Sequence, residues 1–68
     1  MALKIYRSVV RTAKLLIEEH GGSAPLQAAQ RADELLDEGD IDGSMFWGQT
    51  HEMIEEITRN RSEKDLPN

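Results

Sequence analysis

Two glycine positions divide this chain into three stretches of helical periodicity, and this division most constrains its fold. Apolar residues recur every three or four positions within residues 3–19, 24–38 and 41–59, which places them on one face of an α-helix. Gly21 or Gly22 follows the first stretch and Gly39 follows the second, where a residue in the left-handed conformation commonly ends a helix. The sequence therefore predicts an all-α fold with three helices and short connections.

These helices are expected to form one small three-helix bundle over residues 1–59. From Asn60 onward the apolar periodicity is lost, so residues 60–68 are predicted to be a disordered, flexible tail. We expect the core to contain Tyr6, Phe46 and Trp47 together with aliphatic residues of the first helix. The apolar stripe of the second helix is expected to be Ala28, Ala29, Ala32, Leu35 and Leu36.

The size of the chain limits how stable this core can be. A chain of 68 residues buries a modest fraction of its surface, and the absence of cysteine excludes disulfides and thiolate metal sites. Self-association is one remaining source of stability. Gly43 and Gly48 in the third helix are expected to mark either the close approach of another backbone or a frayed helix start, since glycine disfavours a helix interior.

Charge is distributed unevenly along the chain. Residues 1–17 carry four basic residues and no acidic one, whereas residues 18–56 carry eleven acidic residues against the single Arg31. The four basic residues lie three or four positions apart and share one face of the first helix: Lys4, Arg7, Arg11 and Lys14. This face is the predicted interaction surface, either for the acidic faces of the other helices, for a partner protein, or for an anionic surface.

The corner between the second and third helices resembles part of an EF-hand calcium loop. With Gly43 at the sixth position of the loop, Glu38, Asp40 and Asp42 take the first, third and fifth ligand positions. Gln49 stands where the loop needs a bidentate glutamate, and Phe46 offers no oxygen. These three acids are therefore retained as candidate calcium ligands, while the preferred interpretation is an acidic start of the third helix.

No catalytic or cofactor-binding residue is predicted. His51, Glu52 and Glu55 spell H-E-x-x-E, which lacks the second histidine of a zinc protease helix. Neither a nucleophile elbow nor a glycine-rich phosphate loop is present. We therefore expect a non-enzymatic protein that needs no cofactor.

The pattern H-G-x4-L-x-A-x2-R-A-x2-L-x3-G-D-x2-G-x3-W, from His20 to Trp47, resembles small uncharacterised three-helix proteins of alphaproteobacteria. The resemblance implies a bacterial, cytoplasmic protein and carries no activity. A cytoplasmic location also agrees with the basic residues that interrupt the apolar N-terminal stretch, which exclude a signal peptide or membrane span there.

The sequence thus favours a small helical protein-interaction module, with a homodimer as one form of it. A calcium binder at the corner and an anionic-surface binder through the first helix are the alternatives. An unknown protein or a second copy is the expected partner, and neither nucleic acid nor membrane is expected, because the acidic middle of the chain repels polyanions.

Overall fold

The chain folds into helices throughout the part that the structure describes. The computed structural model describes the backbone of residues 3–65 and the side chains of residues 4–61. Three α-helices follow one another: α1 (Leu3–His20), α2 (Ala24–Asp37) and α3 (Ile41–Asp65). No strand occurs within residues 3–65, so the prediction of an all-α fold is confirmed.

A single 3-10 turn, Gly21–Ser23, joins α1 to α2. α1 ends just before Gly21, the first of the two candidate glycines. The φ of Gly21 is +56°, a conformation that a residue without Cβ adopts at little cost. Ser23 stands before α2 but does not cap it; its hydroxyl donates to the carbonyl of His20 at 3.0 Å. Residues 3–37 are therefore helical throughout, with the 3-10 turn between α1 and α2.

The corner between α2 and α3 is a tight C-cap followed at once by a new helix. Gly39, with a φ of +85°, donates its N–H to the carbonyl of Leu36 at 3.0 Å, and Asp40 donates to the carbonyl of Leu35 at 2.8 Å. This pair of bonds is the Schellman pattern, which satisfies carbonyls left without partners at a helix end. The predicted helix stop at Gly39 is confirmed.

Small side chains fill the centre of the molecule. α3 packs along α2 most extensively and also contacts α1. The buried cluster consists of Ala13, Ala24, Ala28 and Ile54, with Leu16, Ile17, Trp47, Met53 and Ile57 packed against it. Alanines at these contacts let helix axes approach closely but bury little apolar area each. Thr50 is also fully buried, and its hydroxyl donates to the carbonyl of Phe46 at 2.9 Å.

Two residues expected in the core lie outside it. Tyr6 is 49% exposed and Leu36 is 53% exposed, so the prediction of buried positions is wrong for both. Leu36 lies at the edge of the apolar stripe of α2, whereas Tyr6 lies on the same side of α1 as buried Ala13 but two turns earlier, near the N-terminal end of the helix. Trp47 packs against the cluster while remaining partly accessible, and Phe46 is likewise half-buried.

α3 extends further than the periodicity predicted. It was expected to end at residue 59, but the helix continues to Asp65, and residues 66–68 lie outside the described part of the chain. Residues 60–65 contain no glycine or proline, and arginine, glutamate and lysine are good helix formers. These three residues favour continuation of α3 beyond Ile57, the last residue of the helix that packs against the core cluster.

Candidate functional site

The four predicted basic residues share one solvent-facing side of α1. Lys4, Arg7, Arg11 and Lys14 are all exposed. The ion pairs among the side chains of residues 4–61 are Glu19 with His20, Arg31 with Glu34, and His51 with Glu55. None of the four cations of α1 takes part in them. Within the described residues, none of these cations is therefore in an ion pair, and the one carboxylate that lines the groove on this side of α1 is that of Glu18, one turn beyond Lys14.

Apolar side chains flank these cations. A shallow groove on the outer side of α1 is lined by Tyr6, Arg7, Val10, Arg11, Lys14, Leu15 and Glu18. Tyr6 and Leu15 are each 49% exposed and lie on opposite flanks of the basic row. The face thus offers apolar area together with three cationic groups. We call this surface the α1 outer face, defined by Tyr6, Arg7, Arg11, Lys14 and Leu15.

Such a surface can bind acidic groups that also carry apolar side chains. Tyrosine and arginine are enriched at protein interfaces because each combines contact area with hydrogen-bonding groups. Guanidinium groups also form bidentate hydrogen bonds with carboxylates. The sequence predicted the cations from their spacing, but it did not predict Tyr6 and Leu15 as exposed neighbours. Leu15 gave a signal, since it follows Arg11 by one helical turn.

The acidic corner has a structural role that accounts for one of the three calcium candidates. The carboxylate Oδ1 of Asp40 accepts a hydrogen bond from the backbone N–H of Gly43 at 2.9 Å, and the carbonyl of Asp40 accepts from Ser44 at 3.0 Å. Asp40 is therefore the N-cap of α3. Glu38 and Asp42 are exposed. Among the described residues, no three His, Cys, Asp or Glu side chains converge in a way that could hold a metal ion.

Gly43 and Gly48 have different environments. A Cβ on Gly43 would lie 2.5 Å from Oδ2 of Asp40, so this glycine makes room for the cap of its own helix. A Cβ on Gly48 would have nothing within 4 Å among the described neighbours. The nearest neighbours of a Cβ on Gly43 are side-chain atoms and Gly48 faces open space, so the first of the two predicted alternatives, a close backbone approach, is not seen at either glycine among the described residues.

The first and last residues of the H-E-x-x-E segment lie close together on α3. Nδ1 of His51 lies 3.5 Å from Oε1 of Glu55, one turn further along α3, and the histidine is half-buried. His20 lies at the end of α1, 3.8 Å from the carboxylate of the adjacent Glu19. Each histidine therefore has a single acidic neighbour at the surface of its own helix.

The outer side of α3 is a second mixed surface that the sequence did not single out. Ile41 and Met45 are 54% and 58% exposed, and Glu52 and Glu56 follow them on the same side of the helix. Gly48 lies between the apolar and acidic pairs. Residues 41–58 carry four acidic residues and no lysine or arginine. We call Ile41, Met45, Gly48, Glu52 and Glu56 the α3 outer face.

None of the helices in the described part of the chain combines the length and the apolar character that crossing a membrane requires. Comparison with protein-family models, with curated proteins and with solved structures gives no match. The resemblance to small alphaproteobacterial proteins therefore stays a prediction. What the chain can do has to be inferred from the two outer faces themselves.

Proposed function

We propose that this chain is a three-helix, non-enzymatic protein-interaction module that binds its partner through the α1 outer face. The observation that carries the proposal is the combination of exposed cations, which form no ion pair among residues 4–61, with half-exposed Tyr6 and Leu15 on one side of α1. A cytoplasmic location and a homodimeric form belong to the same proposal.

Chemistry favours a protein over a polyanion as the partner. A nucleic acid or an anionic membrane would meet the basic row, but it would also meet the acidic side chains of α2 and α3, which repel it. An acidic protein surface with apolar side chains uses both components of the α1 outer face. The non-enzymatic part of the proposal rests on the sequence, which contains no recognisable nucleophile or cofactor motif.

Affinity capture with a matched pair of variants tests this function. The wild-type chain is immobilised beside the triple variant Arg7→Glu, Arg11→Glu, Lys14→Glu and beside a control that reverses Arg31, Arg59 and Arg61, which are exposed cations outside α1. Both variants change the net charge equally. We expect one protein to be retained by the wild type and the control and lost from the α1 variant, and then to bind the wild type in a purified two-component titration.

Two outcomes would contradict the proposal. Equal loss of binding in the control would assign the effect to net charge rather than to the α1 outer face. Salt-sensitive binding of the wild type to vesicles rich in anionic lipid, or to duplex DNA, with no purified protein partner, would favour the anionic-surface alternative. Circular dichroism of every variant shows whether the helices are retained.

A further inference from the structure

We propose that the α1 outer face of one copy docks on the α3 outer face of a second copy, with the two helices antiparallel. This inference rests on the proposed function, because it names the partner of the same surface. It commits the α1 outer face to a second chain of this protein, and three independent features of the two faces support it.

The first feature is charge complementarity at matching spacing. Arg7 and Arg11 are one helical turn apart, as are Glu52 and Glu56, and about 6 Å of helix axis separates the members of each pair. In an antiparallel arrangement Arg7 meets Glu56 while Arg11 meets Glu52. All four side chains are exposed, and no ion pair among residues 4–61 occupies Arg7, Arg11, Glu52 or Glu56.

The second feature is the fit of a side chain to a space. Leu15 lies one helical turn after Arg11, and its side chain is 49% exposed. The residue one turn before Glu52 is Gly48, whose missing Cβ faces open space. The same antiparallel register that pairs the charges therefore places Leu15 over Gly48. Glycine in a helix interior costs about 1 kcal/mol relative to alanine, and no contact within the described fold accounts for it here.

The third feature is the small core. The buried cluster consists of three alanines and Ile54, and the chain has no cysteine for a disulfide. Domains of this size commonly gain stability by association, because a second copy removes further apolar area from water. In the register that pairs the charges, Leu15 and Met45 are the half-exposed apolar side chains that the proposed contact would cover. Because the contact joins two different faces, it either occurs twice in a two-fold dimer or extends into a longer assembly.

A charge-swap experiment on the full chain tests the pairing. One variant carries Arg7→Glu and Arg11→Glu, the other carries Glu52→Arg and Glu56→Arg, and each is examined by sedimentation equilibrium alone and in an equimolar mixture. We expect the wild type to self-associate and each variant alone to do so at least about tenfold more weakly. The mixture restores opposite charge at both contacts, so it is expected to associate within about threefold of the wild type.

Two further variants make the result specific. Asp33→Arg with Asp37→Arg reverses an exposed acidic pair of the same spacing on α2 and is expected to leave self-association unchanged. Gly48→Gln fills the open space and is expected to weaken self-association about tenfold while the monomer stays helical. Circular dichroism at low concentration confirms the fold of each variant.

A strictly monomeric wild type at high micromolar concentration would overturn the inference. So would a mixture that stays monomeric, or loss of association in the α2 variant but not in the α3 variant. These results would reject the second copy as partner, and a monomeric wild type would also reject the homodimeric form, but the interaction module would stand: a monomer whose α1 variant loses a different protein in the capture experiment would still bind a partner through the α1 outer face.

Discussion

The carboxylate of Asp40 occupies the space that a side chain at position 43 would need. Its Oδ1 accepts a hydrogen bond from the backbone N–H of Gly43 at 2.9 Å. Its Oδ2 lies 2.5 Å from the position that a Cβ of residue 43 would take. The acidic residue and the glycine that resemble a calcium loop are thus two parts of one helix cap. Gly43 follows Asp40 by three residues, which is the spacing between an N-cap residue and the third helical residue, whose N–H donates to the N-cap side chain.

Removing this cap should destabilise the whole domain, because α3 packs on both other helices. We expect Asp40→Ala to lower the free energy of unfolding by about 0.5–2 kcal/mol, the usual range for loss of an N-cap acceptor. Asp42→Ala is the matched control, since Asp42 is an exposed acid two positions away. Urea denaturation at fixed protein concentration measures both. Equal losses in the two variants would reduce the role of Asp40 to its charge near the start of α3.

Gly43→Ala should show energetic coupling to Asp40. Alanine is favoured over glycine in a helix by up to about 1 kcal/mol, but here its Cβ displaces the capping carboxylate. We therefore expect little or no gain from Gly43→Ala in the wild-type chain and a clear gain in the Asp40→Ala background. A double-mutant cycle that returns a coupling energy of at least about 0.5 kcal/mol would confirm this, and additive effects would contradict it.

Gly39 should tolerate substitution worse than Gly22. Gly39 has a φ of +85°, whereas Gly22 does not have a positive φ. An L-residue in the left-handed region costs about 1–2 kcal/mol, so Gly39→Ala is expected to lower the free energy of unfolding by that amount. Gly22→Ala introduces a Cβ with nothing within 4 Å among its described neighbours and is expected to be close to neutral. Thermal melts of the two variants give the comparison, and equal shifts would show that the Schellman cap is dispensable.

Calcium should not bind at the corner. The Asp40 carboxylate is engaged by Gly43, and the described residues bring no three metal-ligating side chains together there. We expect amide resonances of residues 38–49 to stay in place when calcium is added at millimolar concentration, the range of weak extracellular-type sites. Magnesium serves as the control for nonspecific ionic effects. Saturable shifts confined to this segment with calcium alone would restore the calcium alternative.

Local signals in the sequence predicted the ends of α1 and α2, but neither the end of α3 nor the width of the buried surface. Gly21 and Gly39 each end a helix because the left-handed conformation is a property of the residue itself. Tyr6 and Leu36 lie within the apolar stripes and yet remain half-exposed. How much of a stripe is covered depends on where the neighbouring helix crosses it, and residue spacing within one helix contains no information about that crossing.

The candidate site, too, was predicted only in part from the sequence. The spacing of Arg7 and Arg11 was sufficient to place both on one face, because three and four residues return a helix to the same side. Whether acidic residues of α2 or α3 would neutralise that face depended on how the helices pack. Gly48 shows the limit most clearly: a glycine that accommodates a neighbour and a glycine that faces open space look the same in the sequence, and the two are distinguished only by surrounding atoms.

Ile54 should contribute more to the stability of the core than Tyr6. Ile54 is fully buried within the alanine cluster, whereas Tyr6 is 49% exposed. We expect Ile54→Ala to lower the free energy of unfolding by about 2–5 kcal/mol, because it leaves a cavity lined in part by alanines, whose short side chains cannot fill it. Should that variant fail to fold, Ile54→Val is expected to cost about 0.5–1.5 kcal/mol. Tyr6→Ala is expected to change it by no more than about 0.5 kcal/mol in dilute, monomeric samples. Denaturant titrations at low micromolar concentration keep association from adding to these values, and a larger loss at Tyr6 than at Ile54 would overturn this assignment of the core.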